Sequence, residues 1–298
     1  MTQAFSGRCV AIVILAVSVA AGCRDVNVNA ALAQLSQAQH LAGDLLAGFT
    51  KAADAANRAV MSESDAESVT YAREAEAAKQ TVRKDIDALK PLLQDARYEN
   101  EARLLQEFVT RFAEYEALDR RVLDLAVENT NLQAQRLSFG PAQAAADAFR
   151  DALQAVVPSG AATDTWRIKA VVASAVAAVR EIQALQAPHI ADAEDSNMAG
   201  LEQRMAAAET VARKDLATLQ TLQTLLAPAA RRHIADATSA LDRFIGLNAQ
   251  IVALSRRNTN VRSLALSLDQ KRKLIGPCEE TLRALRDGLN KHGYPAGR

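Results

Sequence analysis

The chain has 298 residues, 35 Lys+Arg against 35 Asp+Glu, 49% hydrophobic side chains and only 4% aromatic ones. Zero net charge removes any global pull toward nucleic acid or an acidic lipid surface. Twelve Gly, 7 Pro and 3 Cys exclude a disulfide scaffold and argue against a fold of many short strands.

The first element is an address. Arg8 is the only charge before Arg24, and Val10 to Gly22 is apolar or small except for Ser18. A bilayer span needs about 20 residues, so this run is short for one. A basic residue, a short apolar core and a small-residue end predict a secretory signal over residues 1–22. Its end, Val19-Ala20-Ala21-Gly22-Cys23, resembles the lipobox of bacterial lipoproteins, with Ala20 where leucine is usual. The resemblance implies that Cys23 becomes the first mature residue and carries acyl chains. Arg24 differs from the Asp of inner-membrane retention signals, which implies an outer-membrane anchor facing the periplasm. Ordinary secretory cleavage and an uncleaved anchor are the alternatives. Cys9 leaves with the signal, so Cys278 remains as a lone thiol. It is expected to be a buried helical residue; a reactive role needs a cationic, exposed setting.

The remainder reads as two copies of one helical unit. Arg83-Lys84-Asp85 returns as Arg213-Lys214-Asp215, an offset of 130 in numbering. Asn129-Thr130-Asn131 returns as Asn258-Thr259-Asn260 and Leu137-Ser138 as Leu266-Ser267, both at an offset of 129, while Gly140-Pro141 returns as Gly276-Pro277 at an offset of 136. Landmarks in one order with small shifts indicate an internal duplication. The fold expected is all-α: two tandem antiparallel helical bundles, over 23–160 and 161–298, each with three long helices and a short one. The predicted helices are 28–61, 65–95, 99–138 and 141–156, then 164–191, 197–226, 229–274 and 277–291. Ser64-Asp65-Ala66-Glu67 has the spacing of a capping box. Pro228, Pro141 and Pro277 suit first helical turns, and Pro91 and Pro188 should bend or end their helices. Val157-Pro158-Ser159-Gly160 should separate the copies, and Gly293 and Pro295 should close the last helix. Trp166 is expected to pack the start of the second bundle.

The third helix of each copy carries the clearest seam. Tyr115, Leu118, Val122, Leu125, Asn129 and Leu132 step by 3 and 4, as do Phe244, Leu247, Ile251, Leu254, Asn258 and Val261. Val82, Ile86, Leu89 and Leu93 form a matching face on the second helix. Asn129 and Asn258 therefore stand where apolar residues are expected, and a buried amide needs hydrogen-bond partners. Antiparallel register sets each Asn-Thr-Asn triplet level with the loop between the first two helices, near Ser62, Ser64 and Asp65 or near Asp192, Asp195 and Ser196. Three readings stand. The triplets fix register by bonding loop groups, or Asn129, Thr130, Asn131, Asn258, Thr259 and Asn260 line small polar pockets for a ligand, or they belong to an interface. On the first reading Asn129→Leu should keep or raise stability. Arg83-Lys84-Asp85 is either a solvated face with an Arg83–Asp87 pair or a cationic grip on an anion.

Other chemistry is thin. His40 with Asp44, His189 with Asp192 and His233 with Asp236 are helical pairs, too few ligands for a metal. No phosphate loop, nucleophile elbow or dinucleotide fingerprint is present, nor is a basic strip interleaved with aromatics. No cofactor, no metal, no nucleic-acid partner and no enzymatic activity are expected. The stretch Leu254-Ser255-Arg256-Arg257-Asn258-Thr259-Asn260-Val261-Arg262-Ser263-Leu264 and its first-copy counterpart resemble the periplasmic four-helix sensor regions of methyl-accepting chemotaxis receptors. The resemblance implies a helical-bundle fold and a ligand-binding role; the chain lacks that family's second transmembrane helix and signalling hairpin. The reading is a lipid-anchored envelope scaffold or partner-binding protein, with a small-molecule sensor module as the alternative.

Overall fold

The computed structural model describes residues 22–157, 165–222 and 228–292. Residues 1–21 of the expected signal, the 158–160 break and the closing Gly293 and Pro295 lie outside these, and Cys23 enters only as backbone at the start of the first helix. All regular structure among the described residues is helical, and no helix there is long and apolar enough to cross a membrane.

The elements are α1 (Gly22–Met61), α2 (Asp65–Asp95), α3 (Glu99–Glu128), α4 (Thr130–Leu137), a π-helical turn (Ser138–Ala142), α5 (Gln143–Val156), α6 (Thr165–Ala191), α7 (Asp195–Thr221), α8 (Pro228–Arg257), α9 (Thr259–Leu266), a second π-helical turn (Ser267–Lys271) and α10 (Arg272–Lys291). Local chemistry accounts for the ends. The Ser64 hydroxyl accepts from the Glu67 N–H at 3.3 Å and donates to the Glu67 carboxylate at 3.0 Å, capping α2. Pro228 opens α8, where its missing N–H costs nothing. Pro91 and Pro188 lie inside α2 and α6, which run on to Asp95 and Ala191.

Two boundaries differ from the heptad reading. The predicted helices 99–138 and 229–274 are each broken at one residue, Asn129 (φ 51°) and Asn258 (φ 52°), both left-handed. Asparagine is among the few residues that adopt this region readily. The predicted breaks before Pro141 and Pro277 are absent. Instead α4 passes through a π turn containing Pro141 into α5, and α9 passes through its own π turn into α10, which encloses Pro277. A π turn inserts one residue without ending the helix. Both π turns keep the offset of the triplets, so the extra residues of the second half fall in α10, 20 residues against 14 in α5.

The compact units do not follow the sequence halves 23–160 and 161–298. One comprises residues up to 55, 73–117 and 272 onward; the other comprises 56–72 and 118–271. The last helix, α10, thus completes the core of α1–α3, and α5 completes that of α6–α8. In the first unit Leu282, Leu285 and Leu289 of α10 join Leu45, Val82, Leu89 and Leu105 in one apolar cluster. Phe49 lies edge-on to Phe108 and Tyr115, with centroids 5.8 and 5.1 Å away. α10 lies close to α3 at Gly288: a Cβ there would meet Glu101 Oε1 at 2.7 Å and displace that carboxylate. In the second unit Phe149 and Leu153 pack with Ile182, Leu216, Leu241 and Phe244. Trp166, expected to pack here, is 70% exposed.

The Arg-Lys-Asp repeats tie helices together, and the expected Arg83–Asp87 pair is replaced. Arg83 donates from Nε to Glu116 of α3 at 2.9 Å and also pairs with Glu76. Arg213 bonds Asp242 of α8 and Glu209, each at 2.8 Å. Asp85 Oδ2 and Asp215 Oδ2 are both buried without a hydrogen-bond partner, and burial raises the Asp85 pKa, with Asp44 adding to the effect.

Cys278 is fully buried, and that burial pushes its thiol up to about 12. It should resist an aromatic disulfide reagent at pH 8 in the native protein and react at once in denaturant. Prompt native labelling would show that α10 leaves the first unit.

Candidate functional site

The two Asn-Thr-Asn triplets meet. In both, the left-handed asparagine ends one helix and its carbonyl starts the next: Gln133 N–H donates to Asn129 O at 3.1 Å, and Arg262 N–H to Asn258 O at 3.0 Å. The next two N–H groups point at the other triplet. Thr130 N–H donates to Thr259 Oγ1 at 3.1 Å, and Thr259 N–H returns to Thr130 Oγ1 at 3.2 Å. Asn131 N–H donates to Asn260 Oδ1 at 3.1 Å, and Asn260 N–H to Asn131 Oδ1 at 3.2 Å. The amides exchange as well: Asn131 Nδ2 donates to Asn258 Oδ1 and Asn260 Nδ2 to Asn129 Oδ1, each at 2.8 Å. Each triplet thus satisfies the free N–H groups at the start of the other's helix, groups that a buried helix end cannot leave bare.

The loop contacts expected from register are present on one side. Asn258 Nδ2 donates to Asp192 O and Asn131 Nδ2 to Ile190 O, both at 2.7 Å. On the other side Asn129 Nδ2 is buried with no partner. There the α1–α2 end is held differently: the Ser68 hydroxyl is shared between Ala59 O and Ala126 O, and Arg136 pairs with Asp65 at 2.6 Å. The pairing between triplets was not anticipated. Its only signal in sequence is that both triplets place a left-handed-tolerant asparagine at the same step of a buried stripe.

The π turns repeat a second polar pattern. Ser138 Oγ donates to Gln186 Oε1 at 2.7 Å, and Ser267 Oγ to Asn57 Oδ1 at 3.3 Å, with donor and acceptor both displaced by 129 in numbering. Elsewhere the halves differ. Lys271 and Asp119 form a fully buried ion pair at 2.9 Å, where the positions at the same offset hold Ala142 and Asn248. Breaking one member would strand a buried charge.

Sequence reading placed His189 with Asp192. The structure instead inserts its buried ring between Ser255 Oγ (Nδ1, 2.8 Å) and Glu202 Oε1 (Nε2, 2.9 Å). Glu202 Oε1 also accepts from Arg256 Nε at 2.6 Å. The Ser255 hydroxyl has one proton to share between Nδ1 and His189 O, 2.7 Å away. The chain of Ser, His and Glu has the residue types of a nucleophile relay, but Ser255 and His189 are both 0% exposed. A substrate has no access to Oγ, so this network cross-links α6, α7 and α8. His40 keeps its predicted pair with Asp44, at 3.2 Å.

No protein-family model matches the chain, and no match is found among curated proteins.

Asn129→Leu should now destabilise the protein, correcting the expectation from sequence. Leucine is strained at φ 51° and leaves Asn260 Nδ2 bare, together roughly 3 kcal/mol. Asn129→Gly removes only the amide and should cost less; urea unfolding gives the order, and equal losses would remove backbone strain from the account. A second outcome concerns acid. The hydrogen bond from Arg256 holds the Glu202 carboxylate below its usual range, with burial opposing and His189 assisting. A depressed carboxylate contributes stability above its unfolded pKa that is lost as pH falls through the folded value. Wild type should therefore lose more stability than Glu202→Gln between pH 7 and pH 3, and parallel profiles would contradict the role.

Proposed function

We propose that this is a non-enzymatic scaffold or partner-binding protein of the cell envelope, tethered at Cys23 by lipid and built by internal duplication from two helical-bundle units. The repeated geometry supports the duplication: matched left-handed asparagines, eight-residue α4 and α9, and π turns at one spacing. The buried polar groups serve architecture, since the triplets bond each other and the Ser–His–Glu chain is closed to substrate.

The observation that carries the partner-binding role is a set of large apolar side chains left outside a completed core. Phe139 is 74% exposed and Leu268 62% exposed, each at the second position of a π turn, and Trp166 is 70% exposed. Single exposed apolar residues are ordinary; equivalent ones at both π turns favour a contact surface.

Radiolabelled palmitate and fractionation test the tether. The wild type should take up label and sediment with membranes, and Cys23→Ser should do neither. A photo-crosslinking residue at 139 or 268 in the anchored protein should give discrete protein adducts absent at exposed Arg232. Label retained by Cys23→Ser would remove the anchor, and adducts no different from those at Arg232 would remove the partner role.

A further inference from the structure

Arg121, Asp124 and Leu125 of α3 and Arg262, Ala265 and Leu266 of α9 line a groove of about 610 Å³ in the second unit. It is a shallow, open groove: Arg121, Asp124, Arg262 and Ala265 are exposed, and Leu125 and Leu266 are half-buried. The floor is apolar, and the only lining carboxylate is Asp124. Neither guanidinium has a hydrogen-bond or ion-pair partner among the described residues.

The other half arranges its charge differently. The positions offset by 129 keep two of the apolar residues, Leu254 for Leu125 and Leu137 for Leu266, and hold Arg136 for Ala265 and Ala253 for Asp124. They replace both cations with neutral amides, Gln250 for Arg121 and Gln133 for Arg262. Two guanidiniums beside an apolar floor match one chemistry: an anionic head with an apolar tail. Arginine forks bind carboxylate and phosphate oxygens in pairs.

We propose that this groove binds a single-chain amphiphile bearing a carboxylate or phosphate head, with Arg121 and Arg262 on the head and Leu125, Ala265 and Leu266 along the tail. The site requires neither the lipid at Cys23 nor a protein partner, so it stands or falls apart from the anchoring role.

The test uses the full chain carrying Cys23→Ser, so that no acyl chain of its own competes. Laurate and dodecyl phosphate, below their micellar concentrations, should bind saturably at one site by calorimetry and weaken with added salt. Arg121→Gln/Arg262→Gln installs the residues of the other half, and a circular dichroism melt checks that it folds. Its affinity should fall about tenfold or more, while Arg232→Gln on exposed α8 surface leaves binding unchanged. Dodecyl maltoside, with the same tail and no charge, should bind far more weakly than laurate. Binding that survives in the double variant, equal binding of the maltoside, or no binding of laurate and dodecyl phosphate would each overturn the proposal. So would attachment to phosphatidylglycerol vesicles without binding of either dispersed amphiphile, which would make the groove a bilayer contact.

Discussion

The structure depends on an obligation created at Asn129 and Asn258. Breaking a buried helix at one residue exposes the N–H groups that open the next helix, and in an apolar interior such groups must find acceptors. Neither triplet supplies them for itself. The hydroxyl of Thr130 and the carboxamide of Asn131 serve the N–H groups of Thr259 and Asn260, and the reverse holds at closely matching distances. The requirement is therefore met only when two such triplets face one another. A lone triplet would leave both of these N–H groups bare, at a cost of about 1–3 kcal/mol each.

Around this contact the same frame occurs twice. The shared frame of break, eight-residue helix and π turn recurs with one spacing, while the fillings differ. The His189–Glu202–Arg256 network, the buried Lys271–Asp119 pair and the groove guanidiniums of Arg121 and Arg262 each occur once. Residues that satisfy the frame are matched in both halves, and residues that depart from their counterparts show where each half has its own chemistry.

Periodicity carried much of the fold. The 3-and-4 spacing of Tyr115, Val122 and Asn129 placed a long buried face, and all three are buried. It carried no information about φ, so a core asparagine in an unbroken helix and one in a left-handed break looked alike. The Gly140-Pro141 pair read as a helix start because a π turn leaves no compositional mark. The exchange of α5 and α10 was hidden for a different reason: an amphipathic helix declares that it has a buried face, not which bundle receives it. The triplet contact was hidden in the same way, since a bond between positions so far apart in sequence leaves no local trace. His189 was seen beside Asp192 in sequence, but its partners Ser255 and Glu202 come from two other helices.

The placement of α10 has a consequence for biogenesis. Gln39, about midway along α1, donates to the carbonyl of Leu289, a bond closing a loop of 250 residues. Leu282, Leu285 and Leu289 belong to the same core as Leu35 and Leu45. α1 thus waits for α10, which is synthesised long after it, and non-local closure of this kind is slow. Until α10 has been made, α1 to α3 must spend an interval with their apolar faces uncovered. A truncation that removes only the tail would leave the beginning of the chain as the exposed, aggregation-prone part.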